Sequence, residues 1–160
     1  MRQIVAAMRH LSAIVPILAV AALSGPIAVA AENTAGQARF ANSCDPALAT
    51  RIDSAVTELH SFEYPEAERQ FREILQAAPD CAVARWGVAM SLWHPLWAPP
   101  SAKERQDARA LLEDLDHLRA TQRELKYLRA IAAYYADDET VGEAARRQNY
   151  AAQMLALYEE

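Results

Sequence analysis

Three times along this 160-residue chain a serine or threonine is followed, three positions later, by a glutamate. The pairs are Ser101 with Glu104, Thr121 with Glu124, and Thr140 with Glu143. In such a capping box the hydroxyl and the carboxylate reciprocally satisfy N–H groups that a helix start leaves without partners. One match is a weak signal. Three matches, each ahead of an apolar-periodic segment, commit the second half of the chain to helices. Behind the first box lie Ala108, Leu111, Leu112, Leu115 and Leu118. Leu125, Leu128, Ile131, Ala132 and Tyr135 follow the second, and Ala145, Ala152, Leu155 and Tyr158 the third. Steps of three and four residues place each set on one helix face.

The first half uses proline as punctuation. Asp45-Pro46 sets an N-cap before a proline at the first helical position, where its missing N–H costs nothing. Leu48, Ile52, Ala55, Val56, Leu59 and Phe62 then form one apolar face. Pro65 opens a second helix carrying Ala67, Phe71, Ile74, Leu75 and Ala78, and Pro79 stops it. Asp80 is expected to cap a third helix with Val83, Trp86, Met90 and Trp93. His94-Pro95-Leu96-Trp97-Ala98-Pro99-Pro100 must be a loop. No alternating run is long enough for a strand. Six helices in antiparallel hairpins make the expected fold all-α.

The N-terminus reads as a leader. Arg2 and Arg9 precede an almost wholly apolar run from Leu11 to Leu23, Gly25-Pro26 breaks it, and Ala28-Val29-Ala30 supplies small residues for cleavage. That is the order of a signal peptide, and the apolar run falls short of the about 20 residues a span needs. Residues 1–31 are therefore assigned to a leader removed on export, with an uncleaved anchor as the alternative. Cleavage is expected at Ala30 or Ala31. Residues 32–43, small and polar, read as a linker, and 44–160 as the helical domain.

Cleavage would remove Arg2 and Arg9 and no acid, leaving fourteen basic against twenty-one acidic residues, a net charge of −7. A mildly acidic domain has no polyelectrolyte footprint for nucleic acid. Export also places Cys44 and Cys81 where disulfides persist. Cys44 precedes the first helix and Cys81 opens the third. In an up-down-up array both helices start at the same end, so the two sulfurs are expected to meet, with two separate thiols or a redox site as the alternatives.

Tyr64, Ala67, Phe71 and Pro79 stand at the spacings that the tetratricopeptide repeat reserves for an aromatic, an alanine, an aromatic and a terminal proline. The stretch resembles the second half of such a repeat. Cys81, the run Trp86 to Ser91 and His94-Pro95-Leu96-Trp97 resemble, more narrowly, a group of exported bacterial repeat proteins. The resemblance spans about residues 44 to 160 and implies a short α-solenoid of stacked hairpins. Arg51, Ser54 and Ala55 depart from the family's tryptophan, leucine and glycine, and the second unit has an enlarged turn from Trp93 to Pro100. The third unit begins near Thr121, with its second helix expected to be unfinished at Glu160.

The resemblance further implies that the first helix of each unit lines a concave face. In the first unit it would offer Ala49, Ile52, Val56, Leu59 and His60 to a partner. Ile52 and Val56 stand where carboxylate-clamping relatives place lysine and asparagine, so clamping of a C-terminal carboxylate is not expected.

The remaining chemistry is sparse. His60, His94 and His117 share no helical spacing and no metal-ligand pattern. Asp114 and Asp116, and Asp137, Asp138 and Glu139, read as solvated charge, while Tyr127, Tyr134, Tyr135, Tyr150 and Tyr158 read mostly as packing. Trp93 and Trp97, with Pro95, Pro99 and Pro100, are either a recognition ridge or a cover over the core. No nucleophile motif or phosphate loop occurs. The expected function is an exported, non-catalytic adaptor, without metal or cofactor, that holds a protein or peptide. Alternatives are a homodimer through the C-terminal helices, the first piece of a longer repeat protein, and a metal-binding or enzymatic protein using His60 or His94.

Overall fold

The computed structural model describes residues 38–136 and 140–159. The leader, the first part of the expected linker and the Asp137–Glu139 cluster lie outside the described residues. Six α-helices are present among the described residues, with no strand. They are α1 (Ala49–His60), α2 (Tyr64–Ala77), α3 (Ala82–Trp93), α4 (Ala102–Leu111), α5 (Gln122–Tyr135) and α6 (Glu143–Tyr158). Asp45 caps as expected, its carboxylate accepting from the Ala47 N–H at 2.9 Å, but it heads a short 3-10 turn at Pro46–Leu48 that leads into α1.

Helices α1, α3 and α5 lie side by side; α2 packs against α1 and α3, α4 against α3 and α5, and α6 against α5. The fold is all-α, built from hairpins that stack. Small residues set the spacing. Ala55, Ala67, Ala82, Ala84 and Ala89 are fully buried, and a Cβ on Gly87 would lie 2.4 Å from the Phe71 ring. Glycine at 87 is thus required by the close approach of α2 to α3, not by backbone conformation. Helix α3, buried on nearly every side, is the central post.

Polar ties complete the stack. The buried Tyr135 hydroxyl donates to Ala89 O at 3.0 Å, joining α5 to α3. The C-terminal carbonyls of α5 collect guanidinium groups, which suits the negative end of a helix dipole. Arg109 Nε reaches Tyr135 O at 2.9 Å, and Arg146 reaches Tyr134 O at 3.1 Å and Ala136 O at 2.7 Å.

Four expectations about boundaries are corrected. Cys81, not Asp80, is the N-cap of α3. The third capping box does not form, because α6 starts at Glu143 behind Gly142. The Glu143 carboxylate instead accepts from the Tyr134 hydroxyl at 2.9 Å and from Arg147 at 2.6 Å. Helix α4 ends at Leu111, since Asp114 takes a left-handed conformation (φ 53°), and Leu115 enters a separate 3-10 turn. Finally, residues 38–43 are no free linker. They form a strap, neither helix nor strand, laid across α1, α3 and α5.

Candidate functional site

The strap crosses the face made by α1, α3 and α5. Its backbone N–H groups donate to helix side chains: Ala38 to Thr57 Oγ1 at 3.1 Å, Phe40 to Asp53 Oδ1 at 3.0 Å, and Ser43 to Glu124 Oε1 at 2.9 Å. The Phe40 ring stacks on Trp86 with centroids 5.3 Å apart and tilts against Tyr127 at 5.8 Å. The Asn42 side chain donates to Phe40 O and accepts from the Cys44 N–H, which turns the strap toward its anchor. That anchor is the Cys44–Cys81 disulfide, with Cα atoms 5.1 Å apart.

Beside the strap runs a groove of about 470 Å³. Leu59 and His60 of α1, Trp86 and Met90 of α3, and Tyr127 of α5 line it, together with Phe40. Tyr150 and Met154 of α6 close one side, and Phe62, Tyr64 and Pro95 stand at one end. Two of these end positions are framed by unusual backbone. Phe62 (φ 64°) and His94 (φ 48°) are left-handed without being glycine, a conformation that costs an L-residue about 1–2 kcal/mol. Phe62 is 51% exposed, and in the loop after α3 Leu96 and Trp97 are 60% and 66% exposed. An apolar, aromatic and thioether lining of this kind is adaptable and suits another protein's side chains.

Glu124 links the groove to the fold. Its second oxygen accepts from the Thr121 N–H at 2.8 Å and the Thr121 hydroxyl at 2.7 Å, closing the expected capping box. Burial works to raise its carboxyl pKa, but the N–H groups of Ser43 and Thr121 and the Thr121 hydroxyl together outweigh it, and the pKa lies below the ordinary value. A carboxyl with a lowered pKa in the folded state stabilises fully above its unfolded pKa, and the contribution fades as pH falls through the folded value. Glu124→Gln is therefore expected to cost about 2 kcal/mol at pH 7, and distinctly less near pH 3. Urea denaturation of both proteins at the two pH values checks this; an equal difference at both would contradict it.

The placement of the expected partner-binding residues is mixed. Ile52 and Val56 are 0% and 1% exposed, so they face the hairpin interior and offer nothing to a partner. The face of α1 turned toward the strap and groove is rotated by about one residue: Asp53 and Thr57, half-buried, accept from the strap, and His60 is exposed beside them. The branched aliphatic side chains take the core because their burial is worth about 1.5–3 kcal/mol each. Leu59, nearly buried, and His60, exposed, do line the groove. Trp93 is a core residue packed on Tyr134 and Tyr150 at 4.4 and 4.7 Å, whereas Trp97 is exposed. Of the repeat-packing set, Tyr64, Ala67 and Phe71 are buried against neighbouring helices, and Pro79 lies in the turn after α2.

The other titratable groups lie apart. His94 sits against the Tyr64 ring at 5.8 Å and 3.5 Å from Glu104, and His117 is exposed in the turn before α5. Among the described residues no three His, Cys, Asp or Glu side chains converge, and no described helix is long and apolar enough to cross a membrane. A second depression, about 460 Å³, is lined by Arg105, Arg109, Arg146 and Glu143. Its guanidinium groups are directed at backbone carbonyls, Arg105 at Pro100 O and the others at the end of α5.

Fold and groove together define a helical-hairpin protein with an aromatic-lined groove and an internal disulfide. No family model, curated protein or solved structure matches the chain in comparison with known proteins.

Proposed function

We infer that this chain is an exported, non-catalytic adaptor of tetratricopeptide type that holds a protein or peptide segment in the groove across α1, α3, α5 and α6. The observation behind this reading is convergence. Aromatic and methionine side chains from α3, α5 and α6 meet Leu59 and His60 of α1 in one open groove, with Phe62 exposed at its end. Such a surface matches the aromatic-rich composition of protein interfaces. The disulfide supports export, since thiols remain reduced in most cytosols.

The test is selection from a random peptide display library against the immobilised whole chain. Enriched sequences are expected to be rich in aromatic and apolar residues, and Met154→Arg is expected to weaken their binding at least tenfold. Met154 is half-buried on the groove wall, so a charge there reaches the ligand without entering the core. Failure to enrich any sequence, or undiminished binding to Met154→Arg, would remove the reading.

One observation favours a second reading. Leu155 and Tyr158, at the end of α6, are 56% and 86% exposed. That apolar end suits self-association or stacking on a further hairpin. Light scattering decides for this chain: a dimer that Tyr158→Lys dissociates supports self-association, and a monomer at all concentrations removes it.

A further inference from the structure

The strap is bound as a ligand would be bound. Its N–H groups at Ala38, Phe40 and Ser43 meet acceptors on helix side chains, Thr57, Asp53 and Glu124. Those contacts read backbone, not sequence, so another segment with the same N–H spacing satisfies them equally. Only one large side chain of the strap is recognised, the Phe40 ring against Trp86 and Tyr127. Ala38 and Phe40 are only partly buried and pack against the helical core cluster from outside it. Beneath the strap one polar atom is unsatisfied. Trp86 is 7% exposed, stacks under Phe40, and its indole N–H has no acceptor. A buried donor without a partner is a standing penalty that an incoming acceptor relieves.

We propose that residues 38–43 are a resident stand-in ligand, displaced when a partner docks. This rests on the reading of the groove as a docking face. The partner is a segment bearing an aromatic side chain. Its ring takes the place of Phe40 on Trp86 and Tyr127, and its backbone N–H groups take Asp53, Thr57 and Glu124. One of its carbonyls accepts from the Trp86 indole. The Cys44–Cys81 bond keeps the displaced strap tethered beside the groove, where it competes at high effective concentration. Only segments that bind better than the tethered strap are held, which makes the strap a threshold for selectivity.

The probe is the strap's own sequence as a labelled, end-capped hexapeptide, Ala-Arg-Phe-Ala-Asn-Ser, titrated by fluorescence anisotropy into the whole chain. It is expected to bind Phe40→Ala at least tenfold more tightly than wild type. The same peptide with alanine for phenylalanine is expected to lose that binding. Equal affinity for both proteins, or no binding to a Phe40→Ala protein of unchanged circular dichroism, overturns the proposal. Amide hydrogen exchange of the unaltered chain is the second measurement. The Phe40 and Ser43 amides are expected to exchange at least a hundredfold faster than buried α3 amides, through local opening. Exchange only by global unfolding makes the strap a permanent part of the fold and overturns displacement. The two readings fail separately. Display-selected peptides that bind wild type and Phe40→Ala equally dock beside the strap, which ends this proposal and leaves the adaptor standing. Absence of any selected peptide ends the adaptor.

Discussion

Phe71→Ala is expected to destabilise the chain by about 3–5 kcal/mol, the usual loss for a large aromatic cut from a closed core. Phe71 is fully buried and its ring covers Gly87, where α2 and α3 approach most closely. Gly87→Ala alone is expected to cost about 1–3 kcal/mol by overpacking, because the new methyl lies 2.4 Å from ring atoms that have nowhere to move. The two changes must interact. Once the ring is gone the methyl at 87 has room, so the double variant is expected to be more stable than the sum of the singles predicts. Urea denaturation of the four proteins in a double-mutant cycle measures this. Strict additivity would mean that Phe71 and Gly87 do not meet.

Replacing both Cys44 and Cys81 with alanine is expected to cost about 4 kcal/mol on the chain-entropy account of a bond closing a loop of this length. The bond spans 37 positions and ties the strap to the head of the central helix. Its loss acts on two links at once. The unfolded chain regains freedom, and the strap loses the anchor that keeps Phe40 against Trp86. Denaturation of the wild type, with and without reductant, alongside the double variant, reads the stability. Mass spectrometry after alkylation reads the bond; two alkylatable thiols in the native wild type would contradict it.

The parts of the fold written in local chemistry were legible from the residues. Asp45-Pro46, Ser101 with Glu104, and Thr121 with Glu124 each specify a helix start through contacts within three or four residues, and each stands. The cysteine pairing followed from the up-down-up order of helices, which places the starts of α1 and α3 at one end. Thr140 with Glu143 has the same signature and fails. Gly142 caps α6 instead, and Glu143 is drawn to Arg147 one turn on and to Tyr134 on the preceding helix, the latter a partner no local window shows.

The groove was legible in outline only. Leu59 and His60 are readable as groove residues, but Trp86, Tyr127 and Tyr150 read only as packing, and Trp93 and Trp97 lie outside the groove. The face of α1 is one position from the expected one, which exchanges Ile52 and Val56 for Asp53 and Thr57. A rotation of about 100° per residue makes such a slip decisive for a docking face and harmless for a core. The strap escaped notice because residues 32–43 have no periodicity. Phe40, the lone aromatic in that polar stretch, was its one signal. Glu124 was recognised as half of a capping box. Its bond to Ser43, 81 positions away, belongs to tertiary structure, and nothing local encodes it.

The most direct test of the docking face is methyl NMR of the whole chain during titration with a display-selected peptide. Met90 and Met154 face the groove from α3 and α6, and their methyl signals are expected to shift in a saturable manner, together with the Trp86 indole proton. A peptide that saturates the protein while those signals stay fixed, and shifts resonances of the outer helices α2 and α4 instead, would contradict the account.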